Sequence, residues 1–213
     1  MKSILLLLAT SISLLTANAA PKPPTPIASL PIKITAAGSY YFISNMFYTP
    51  TSLSDSTAIT INSPGNVTID LKGYTLTGPP QVFVGGFYLN PSGIVILSSN
   101  VTIKNGTIAG FTYQISANPN TGQPPNYISN IDIKAVTFSA GFLNTLQLTF
   151  VNNSLVRDCT FTESNGTAIV DGGSQTGNRY INDLFSGTQV NPIQMRSNAP
   201  IIVHRITLLQ QNN

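Results

Sequence analysis

Apolar and polar residues alternate along short segments of the chain, and the alternation slips by one position at regular intervals. In the clearest copy, residues 101–108, Val101, Ile103 and Ile108 fall on one face and the polar residues between them on the other. The slip occurs at Asn105, a residue type that tolerates a tight turn. Period-two alternation indicates strands with one buried face. This segment therefore predicts two short strands joined by a one-residue bend.

The same six-residue pattern recurs along the chain. Each copy reads apolar, basic, turn residue, small or apolar, Thr, apolar, and the copies begin at Leu71, Ile103, Ile133, Val156, Ile181 and Val203. The copy at Ile181 keeps only the first four positions. The steps between copies are 32, 30, 23, 25 and 22 residues. A recurrence near a fixed period in the low twenties is typical of a solenoid, and the longer steps indicate inserted loops.

A further apolar strand precedes each copy. These strands are centred on residues 58–61, 93–96, 113–115, 146–148, 167–170 and 193–195. Three strands per turn without helical periodicity predict an all-β fold, a right-handed parallel β-helix of about six rungs. A β-sandwich is the alternative, and Asn105-Gly106, Asn165-Gly166 and Asp171-Gly172 are typical of hairpin turns. The shared register favours stacked rungs over hairpins.

The segments 58–61 and 66–78, with the later copies, resemble the pectin-lyase-like superfamily of right-handed β-helices. The resemblance extends from about residue 34 to the last residue of the sequence, and residues 34–45 are similar to the segment that opens many secreted bacterial members. The resemblance implies a fold. It does not select an activity, because the superfamily includes lyases, hydrolases, esterases, adhesins and phage tailspikes.

The first residues have the features of a secretory signal. Lys2 precedes an apolar stretch from Ile4 to Ala17, and Ala17-Asn18-Ala19 is a small-x-small cleavage site. A membrane helix is disfavoured because the apolar run is short and interrupted by hydroxyl residues. We therefore predict a signal peptide at 1–20, a Pro-rich extended leader at 21–33, and a β-helix domain at 34–213 whose residues 34–56 form an N-terminal cap. The mature protein would be secreted, extracellular or periplasmic, without a membrane span.

Charged residues make up only 8% of the chain, and the formal net charge is +3. Nothing in this composition indicates a nucleic-acid-binding surface. Cys159 is the only cysteine and cannot form an internal disulfide. We interpret it as a small core residue at the position shared with Gly106 and Val136.

Stacking of the copies predicts one inward and two outward columns. The inward column contains Leu76, Ile108, Phe138 and Phe161. The first outward column is a basic ladder of Lys72, Lys104, Lys134 and Arg157, continued by Asn182 and His204. It could hold an acidic polysaccharide, but Asp70 and Asp132 are placed to neutralise it, so a solvated, partly ion-paired face is the simpler interpretation. A metal site is not predicted, because His204 has no further ligands near it.

The second outward column contains Thr75, Thr107, Thr137, Thr160 and Thr207, and it is interrupted at Phe185. Ordered Thr columns can bind ice or flat carbohydrate. The β-propensity of Thr explains the column without any ligand, and this is the interpretation the sequence favours.

Enzymes of the superfamily usually work in the groove beside the first strand of each rung. The residues predicted to face outward there are Thr60, Val95, Gln114, Gln147, Val170 and Gln194. Glycoside hydrolysis needs two carboxyl groups, and a pectate-lyase-like reaction needs acidic Ca²⁺ ligands and a base. Asp171 is the only acid near this groove, a weak catalytic candidate that is also typical of a turn.

Two insertions carry aromatic residues. Pro79–Ser92 contains Phe83, Phe87 and Tyr88, and Ser116–Tyr127 ends in Tyr127. Loops on a repeat scaffold often carry binding residues. We expect Tyr88 and Tyr127 to be exposed and able to stack on sugars, and Phe83 and Phe87 to pack back onto the solenoid.

The sequence therefore predicts a protein that binds carbohydrate or acts as a surface scaffold, without catalysis. Its ligand-binding candidates are Gln114, Gln147, Gln194, Tyr88 and Tyr127. The alternatives are a polysaccharide lyase or glycoside hydrolase, with Ca²⁺ as cofactor only in the lyase case, and a truncated fragment of a larger β-helix protein. A last rung without a cap also predicts self-association.

Overall fold

The structure, a computed structural model, describes residues 22–52, 55–119, 126–163, 165–173, 177–187, 192–196 and 202–209. The predicted signal peptide at 1–20 lies outside these residues. Within the described ranges every regular element is a β-strand. No described helix is long and apolar enough to cross a membrane. The all-β prediction is confirmed.

The first strand of each turn belongs to a seven-stranded parallel sheet. Its strands, in spatial order, are β2 (Ile32–Ile34), β5 (Thr57–Ile61), β10 (Ser92–Ile96), β12 (Tyr113–Ala117), β15 (Asn144–Thr149), β19 (Thr167–Gly172) and β22 (Ile193–Met195). Consecutive members come from consecutive turns of the chain, as expected of a solenoid.

The second and third strands of each turn form a 13-stranded parallel sheet. The second strands are β1 (Thr25–Ile27), β3 (Gly38–Phe42), β6 (Val67–Asp70), the first halves of β11 (Val101–Ala109) and β14 (Ile131–Ser139), β17 (Leu155–Arg157), β20 (Arg179–Ile181) and β23 (Ile202–His204). The third strands are β4 (Met46–Phe47), β7 (Thr75–Thr77), the second halves of β11 and β14, β18 (Thr160–Thr162), β21 (Leu184–Ser186) and β24 (Thr207–Leu209).

Four short strands complete the description. Ile128–Ser129 (β13) pairs in parallel with Val151–Asn152 (β16). Val82–Val84 (β8) and Phe87–Leu89 (β9) form an antiparallel hairpin within the first insertion. This is the only antiparallel pair in the described part of the chain, so the β-sandwich alternative is wrong and the chain is an all-β parallel solenoid.

The register of the clearest copies agrees with the sequence prediction. Ile103 pairs with Ile133, Lys104 with Lys134, and Ile108 with Phe138. The bend is a residue of positive φ in successive copies, at Asn105 (60°), Ala135 (52°), Asp158 (54°), Asn182 (57°) and Arg205 (56°). A left-handed residue turns the chain between two strands whose apolar side chains point the same way.

Stacked aromatic rings fill the core behind the third strands. The ring centroids of Phe138 and Phe161 are 4.8 Å apart, and those of Phe161 and Phe185 are also 4.8 Å apart, with interplanar angles of 17° and 6°. All three side chains are buried. The predicted inward stack of Leu76, Ile108, Phe138 and Phe161 is confirmed, since these four residues have no exposed surface.

The first copy begins two residues earlier than its sequence indicates. Ile69, not Leu71, pairs with Ile103, and Asp70 pairs with Lys104. Leu71 is an additional residue that fills the core beneath Gly106, where a Cβ added to the glycine would lie 2.4 Å from the Leu71 Cβ. Leu71 is apolar and precedes a lysine, so in sequence it looks like the first residue of a copy although it is not. Lys72 lies in the turn, with φ of 50°, and is not in line with Lys104.

The degenerate copy begins one residue earlier than its sequence indicates. Tyr180 pairs with Val156 and Val203, whereas Ile181 pairs with Arg157 and His204. Asn182, rather than Asp183, therefore lies at the bend, and Asn182 does not continue the basic ladder. Tyr180, rather than Ile181, is therefore the inward residue of this copy, and its side chain is fully buried.

Residues 25–34 are part of the packed structure rather than an extended leader. Thr25–Ile27 pairs with Tyr40–Phe42, and Ile32–Ile34 pairs with Ile59–Ile61. Ile27 and Ile34 are buried in the core. The segment predicted as a cap contributes β3 and β4, which stack on β6 and β7 as a further turn of the solenoid.

Candidate functional site

The residues at the outward position of the first strands form one column along the solenoid, which we call the groove column. Val170, within this column, is only 2% exposed. Pairing across the sheet places in it Lys33, Thr60, Val95, Ser116, Gln147, Val170 and Gln194. Neighbouring members are about 4.8 Å apart, the spacing of paired strands. Apart from Lys33 the column is uncharged, and its hydroxyls and amides can both donate and accept hydrogen bonds.

The groove column has a cation near each end. Lys33 belongs to β2, and Arg196 follows β22, where its guanidinium donates to the Gln194 side-chain oxygen at 3.0 Å. Gln147 lies between them and donates to the Thr149 hydroxyl at 3.3 Å. The sequence prediction included Gln147 and Gln194 but omitted Lys33, which it had assigned to the leader, and Arg196.

A depression of about 560 Å³ opens at the Lys33 end of the column. Lys33, Asp55, Thr57 and Thr60 contribute to its lining. Asp55 precedes β5 at a corner of the chain, and its carbonyl accepts a hydrogen bond from Tyr48 at 3.1 Å. Burial, followed by the contact with Asp55, raises the pKa of Tyr48. Sequence reasoning did not consider Asp55, because it lies outside every copy of the repeat.

Gln114 was wrongly predicted to face the groove. Ser116 is the residue that pairs with Val95 and Gln147. Gln114 is fully buried, and its amide nitrogen donates to the Ser139 carbonyl. The residue before the inward Ile115 also points inward, as do Ala58 and Thr145 at the same position of other first strands. Gln114 is therefore a core residue and not available to a ligand in the groove.

Asp171 is also inside the solenoid. It pairs with Leu148 and follows the inward column of β15, and its side chain has no exposed surface. Its Oδ2 atom accepts hydrogen bonds from the Tyr180 hydroxyl at 2.8 Å and the Asn178 amide at 3.0 Å. Burial and the adjacent carboxylate raise the pKa of Tyr180 well above its usual value. This geometry is that of a buried structural network, and it does not place Asp171 in the groove as a catalytic residue.

The hairpin of the first insertion exposes its aromatic residues. Tyr88 is 68% exposed, as expected, but Phe83 and Phe87 are also 63% and 62% exposed. The expectation that the two phenylalanines pack onto the solenoid is therefore wrong. Phe83 and Tyr88 face each other across the hairpin, with ring centroids 5.0 Å apart. The hairpin turns at Gly85-Gly86, where both glycines have positive φ.

Tyr127 packs against the solenoid. Its ring meets that of Phe150 edge-to-face, with centroids 5.7 Å apart, and the side chain is only partly exposed. Residues 120–125 of the same insertion lie outside the described residues. Tyr127 thus supports the loop end, and part of its ring is accessible.

The outward residues of the second strands form an ion-paired surface, which we call the ion-pair face. Lys104, Lys134 and Arg157 occupy consecutive positions, as predicted. The Lys104 amine lies 3.4 Å from Asp70, the Lys134 amine 3.9 Å from Asp132, and Arg157 binds both oxygens of Asp132 at 3.2 and 3.1 Å. Contact with Asp132 raises the pKa of the Arg157 guanidinium.

Asp70 anchors the first turn of the ion-pair face. Burial opposes ionisation of its carboxyl, but hydrogen bonds from the Lys72 amide and Asn105, together with the charge of Lys104, lower its pKa overall. The Lys72 amine lies 4.2 Å from the centre of the Tyr41 ring. Lys72 is therefore engaged in a cation–π contact beside the ladder rather than within it.

The described acidic residues do not form a metal site. No group of three or more His, Cys, Asp or Glu side chains suitable for a metal ion occurs in the described ranges. His204 lies on β23, paired with Ile181. The residues present do not fit the Ca²⁺ ion of the lyase alternative, which requires several converging oxygen ligands.

No protein-family model matches this sequence, and no curated protein or solved structure matches it significantly.

Proposed function

We propose that this chain is a secreted protein of the pectin-lyase-like kind that binds a polysaccharide along the groove column without cleaving it. The observation that carries the proposal is the set of neutral hydrogen-bonding side chains in that column. Thr60, Ser116, Gln147 and Gln194 offer neutral donors and acceptors at intervals of one or two rungs. Sugar hydroxyls need partners of both kinds, and a polymer can engage several rungs at once.

The cations near the two ends of the column suit a polymer that carries some negative charge. Lys33 and Arg196 are separated by the uncharged middle of the groove. Neutral hydrogen bonds contribute about 1 kcal/mol each, so affinity would come from several rungs together. The exposed hairpin with Tyr88 would add stacking surface if the polymer reaches it.

The positions of the acidic residues favour binding over hydrolysis. Asp171 and Asp183 are buried, and Asp70 and Asp132 are held in ion pairs. Hydrolysis needs two carboxyl groups on opposite sides of one glycosidic bond. An amide such as that of Gln147 cannot replace either of them, because it does not titrate near neutral pH.

A lyase is the second candidate, because one depression is lined by both Lys33 and Asp55. A lyase uses a general base to remove a proton from a uronate. Since the described residues do not converge on a Ca²⁺ ion, proton removal in this depression would depend on Lys33 and Asp55 themselves.

The proposal is tested by incubating the purified protein with immobilised pectate, alginate and neutral polysaccharides, with and without Ca²⁺. We expect retention on at least one polymer, without new reducing ends and without the ultraviolet absorbance of an unsaturated uronate. Product formation that disappears in Asp55→Asn, but persists in the control Asp132→Asn on the ion-pair face, would establish the lyase instead.

A further inference from the structure

The hairpin of the first insertion is apolar on both of its faces. Its two strands pair with each other in a sheet of their own. They supply six side chains, all aliphatic or aromatic: Val82, Phe83, Val84, Phe87, Tyr88 and Leu89. Phe83 lies opposite Tyr88, so alternation puts these two on one face and the other four on the second. An antiparallel pair on a soluble scaffold commonly has one solvated, polar face, whereas here the Tyr88 hydroxyl is the single polar side-chain group.

Two further apolar side chains extend this surface along one corner of the solenoid, where third strands lead into first strands. Phe142 and Leu143 are 36% and 41% exposed. The Leu143 amide donates to the Thr112 carbonyl at 3.2 Å, and the Thr112 hydroxyl donates to the carbonyl of Pro80 at the base of the hairpin. Exposed apolar groups that lie together mark an interaction surface, whereas single ones do not.

The same corner is free of charge over three successive turns. No Asp, Glu, Lys or Arg occurs in residues 78–94, 109–120 or 138–156 of the sequence. A partner that excludes water from this corner therefore desolvates no charge, which is the most costly step in forming an apolar contact.

Polarity changes along the hairpin rather than across it. At the base, the Gln81 amide donates to the Asn90 side-chain oxygen at 3.4 Å. The arms above this pair are apolar, and the turn is formed by Gly85 and Gly86, both of positive φ. Each three-residue arm spans about 10 Å at roughly 3.4 Å per residue. Amphipathic segments at a lipid bilayer bury their apolar groups to a similar depth, about 5–10 Å into the boundary between headgroups and acyl chains.

These features distinguish a bilayer from other partners. A protein groove or a sugar ring covers one face of a hairpin and leaves the second apolar face in water, whereas a bilayer boundary surrounds both faces. Tyr88 suits this depth, because tyrosine places its ring among apolar groups and its hydroxyl among the headgroups. The unpaired backbone groups at the two edges of the hairpin stay within reach of water there, as they would not in the hydrocarbon centre.

We propose that the hairpin inserts its apolar arms into the surface of a lipid bilayer and attaches the solenoid there, with Phe142 and Leu143 extending the contact. The proposal is independent of polysaccharide binding in the groove column. It predicts that the full chain sediments with uncharged phosphatidylcholine vesicles. Added salt should not release it, because no charge takes part in the contact.

The sequence contains no tryptophan, so a single introduced indole reports on its own surroundings. Phe87→Trp places it in the hairpin, and Ile202→Trp, at another exposed apolar position, is the matched control; these positions are 62% and 51% exposed. We expect vesicles to shift the emission of Phe87→Trp to shorter wavelength, and brominated acyl chains to quench it. Ile202→Trp should show neither effect. Both proteins carry residues 1–20, so attachment through that apolar segment contributes equally to the two.

Sedimentation with the same vesicles measures the contribution of one side chain. Phe87→Ser should weaken binding roughly tenfold, since it withdraws one aromatic ring from apolar surroundings, and Ile202→Ser should leave binding unchanged. Circular dichroism and thermal melting establish that each variant is folded, and Tyr88→Ser replaces Phe87→Ser if that variant is not.

An unshifted, unquenched Phe87→Trp would overturn the proposal, as would equal quenching of the two reporters or equal binding by Phe87→Ser and the unmodified chain. Loss of polysaccharide retention in Phe87→Ser, when the unmodified chain does not bind vesicles, would also overturn it and assign the hairpin to the polymer.

Discussion

The Oδ1 atom of Asp183 accepts a hydrogen bond from the Cys159 backbone amide at 2.9 Å across one turn of the solenoid. The other carboxylate oxygen, Oδ2, is buried and has no hydrogen-bond partner among the described residues. Burial raises the pKa of Asp183 to about 7; the Cys159 amide lowers it and Asp158 raises it further. A carboxyl in this position is easier to bury as the neutral acid.

The stability of the last turns should therefore fall as pH rises from about 4 to about 7. The folded state holds a proton on Asp183 that the unfolded chain releases above its ordinary pKa of 3.8. Stability is thus greatest below that value and decreases until the folded state also ionises near pH 7. Chemical denaturation at pH 4, 5.5 and 7.5 should show this decline, on the order of a few kcal/mol.

The variant Asp183→Asn should reduce this decline and stabilise the protein at pH 7.5, because the amide remains neutral. Glu163→Gln serves as a control, since Glu163 is exposed and is not among the groups that shift the pKa of Asp183. An equally steep decline in Asp183→Asn would contradict the assignment.

Truncation of the middle ring of the aromatic stack should be costly. Phe161 lies between Phe138 and Phe185 and has no exposed surface. Phe161→Ala should lower the free energy of unfolding by about 3–5 kcal/mol, because it removes buried area and leaves a cavity. Urea denaturation measures this. Phe83→Ala, in the exposed hairpin, is the matched control and should cost far less. Similar losses in the two variants would contradict the core assignment.

The thiol of Cys159 should react only when the solenoid opens. Its side chain is 1% exposed, and burial, followed by the charge of Asp183, raises its pKa to about 12. Since the thiolate is the reactive form, a thiol reagent at pH 8 should modify the native protein very slowly and the denatured protein at once. Rapid modification without denaturant would show that the turns around Cys159 are not closed.

The last described strands should promote self-association. Ile202, Val203, Leu208 and Leu209 are 51%, 42%, 60% and 54% exposed, and β23 is an edge strand of the large sheet. Apolar side chains next to unpaired backbone groups favour contact with a second chain. We expect light scattering to report a larger species that dissociates on dilution and is weakened by Leu208→Glu. A monomer at all concentrations would contradict this prediction.

The architecture could be predicted because it depends on the period of the apolar pattern, which survives substitution. The bend residues Asn105 and Asp158 were identified from residue type alone. The predicted register was wrong in two copies of the repeat, by two residues in the first copy and by one residue in the degenerate copy. Leu71 is apolar and precedes Lys72, as Ile103 precedes Lys104, so the two segments look alike in sequence. In the degenerate copy the apolar Ile181 was assigned to the inward position that Tyr180 occupies.

The candidate site was harder to predict because it depends on which way individual side chains point. Gln114 and Asp171 are polar, and a polar residue in a strand is expected outside. Both are inside. Asp171 accepts hydrogen bonds from Tyr180 and Asn178, whereas the Gln114 amide nitrogen donates to Ser139 and its side-chain oxygen is buried without a partner among the described residues. Asp55 and Arg196 lie outside the repeat, so no periodic pattern could identify them. Lys33 was omitted because it was assigned to the Pro-rich leader, although it pairs with Thr60 in the groove column.

Binding of a polysaccharide along the groove column through neutral hydrogen bonds can be tested by changing one residue on each face. The dissociation constant of the retained polymer is measured for the unmodified protein, Gln147→Ala and Lys134→Ala. Gln147→Ala should weaken binding by about 1 kcal/mol, roughly fivefold, while Lys134→Ala, on the ion-pair face, should leave it unchanged. Weaker binding by Lys134→Ala with unchanged binding by Gln147→Ala would place the ligand on the ion-pair face and contradict the proposed mode of binding.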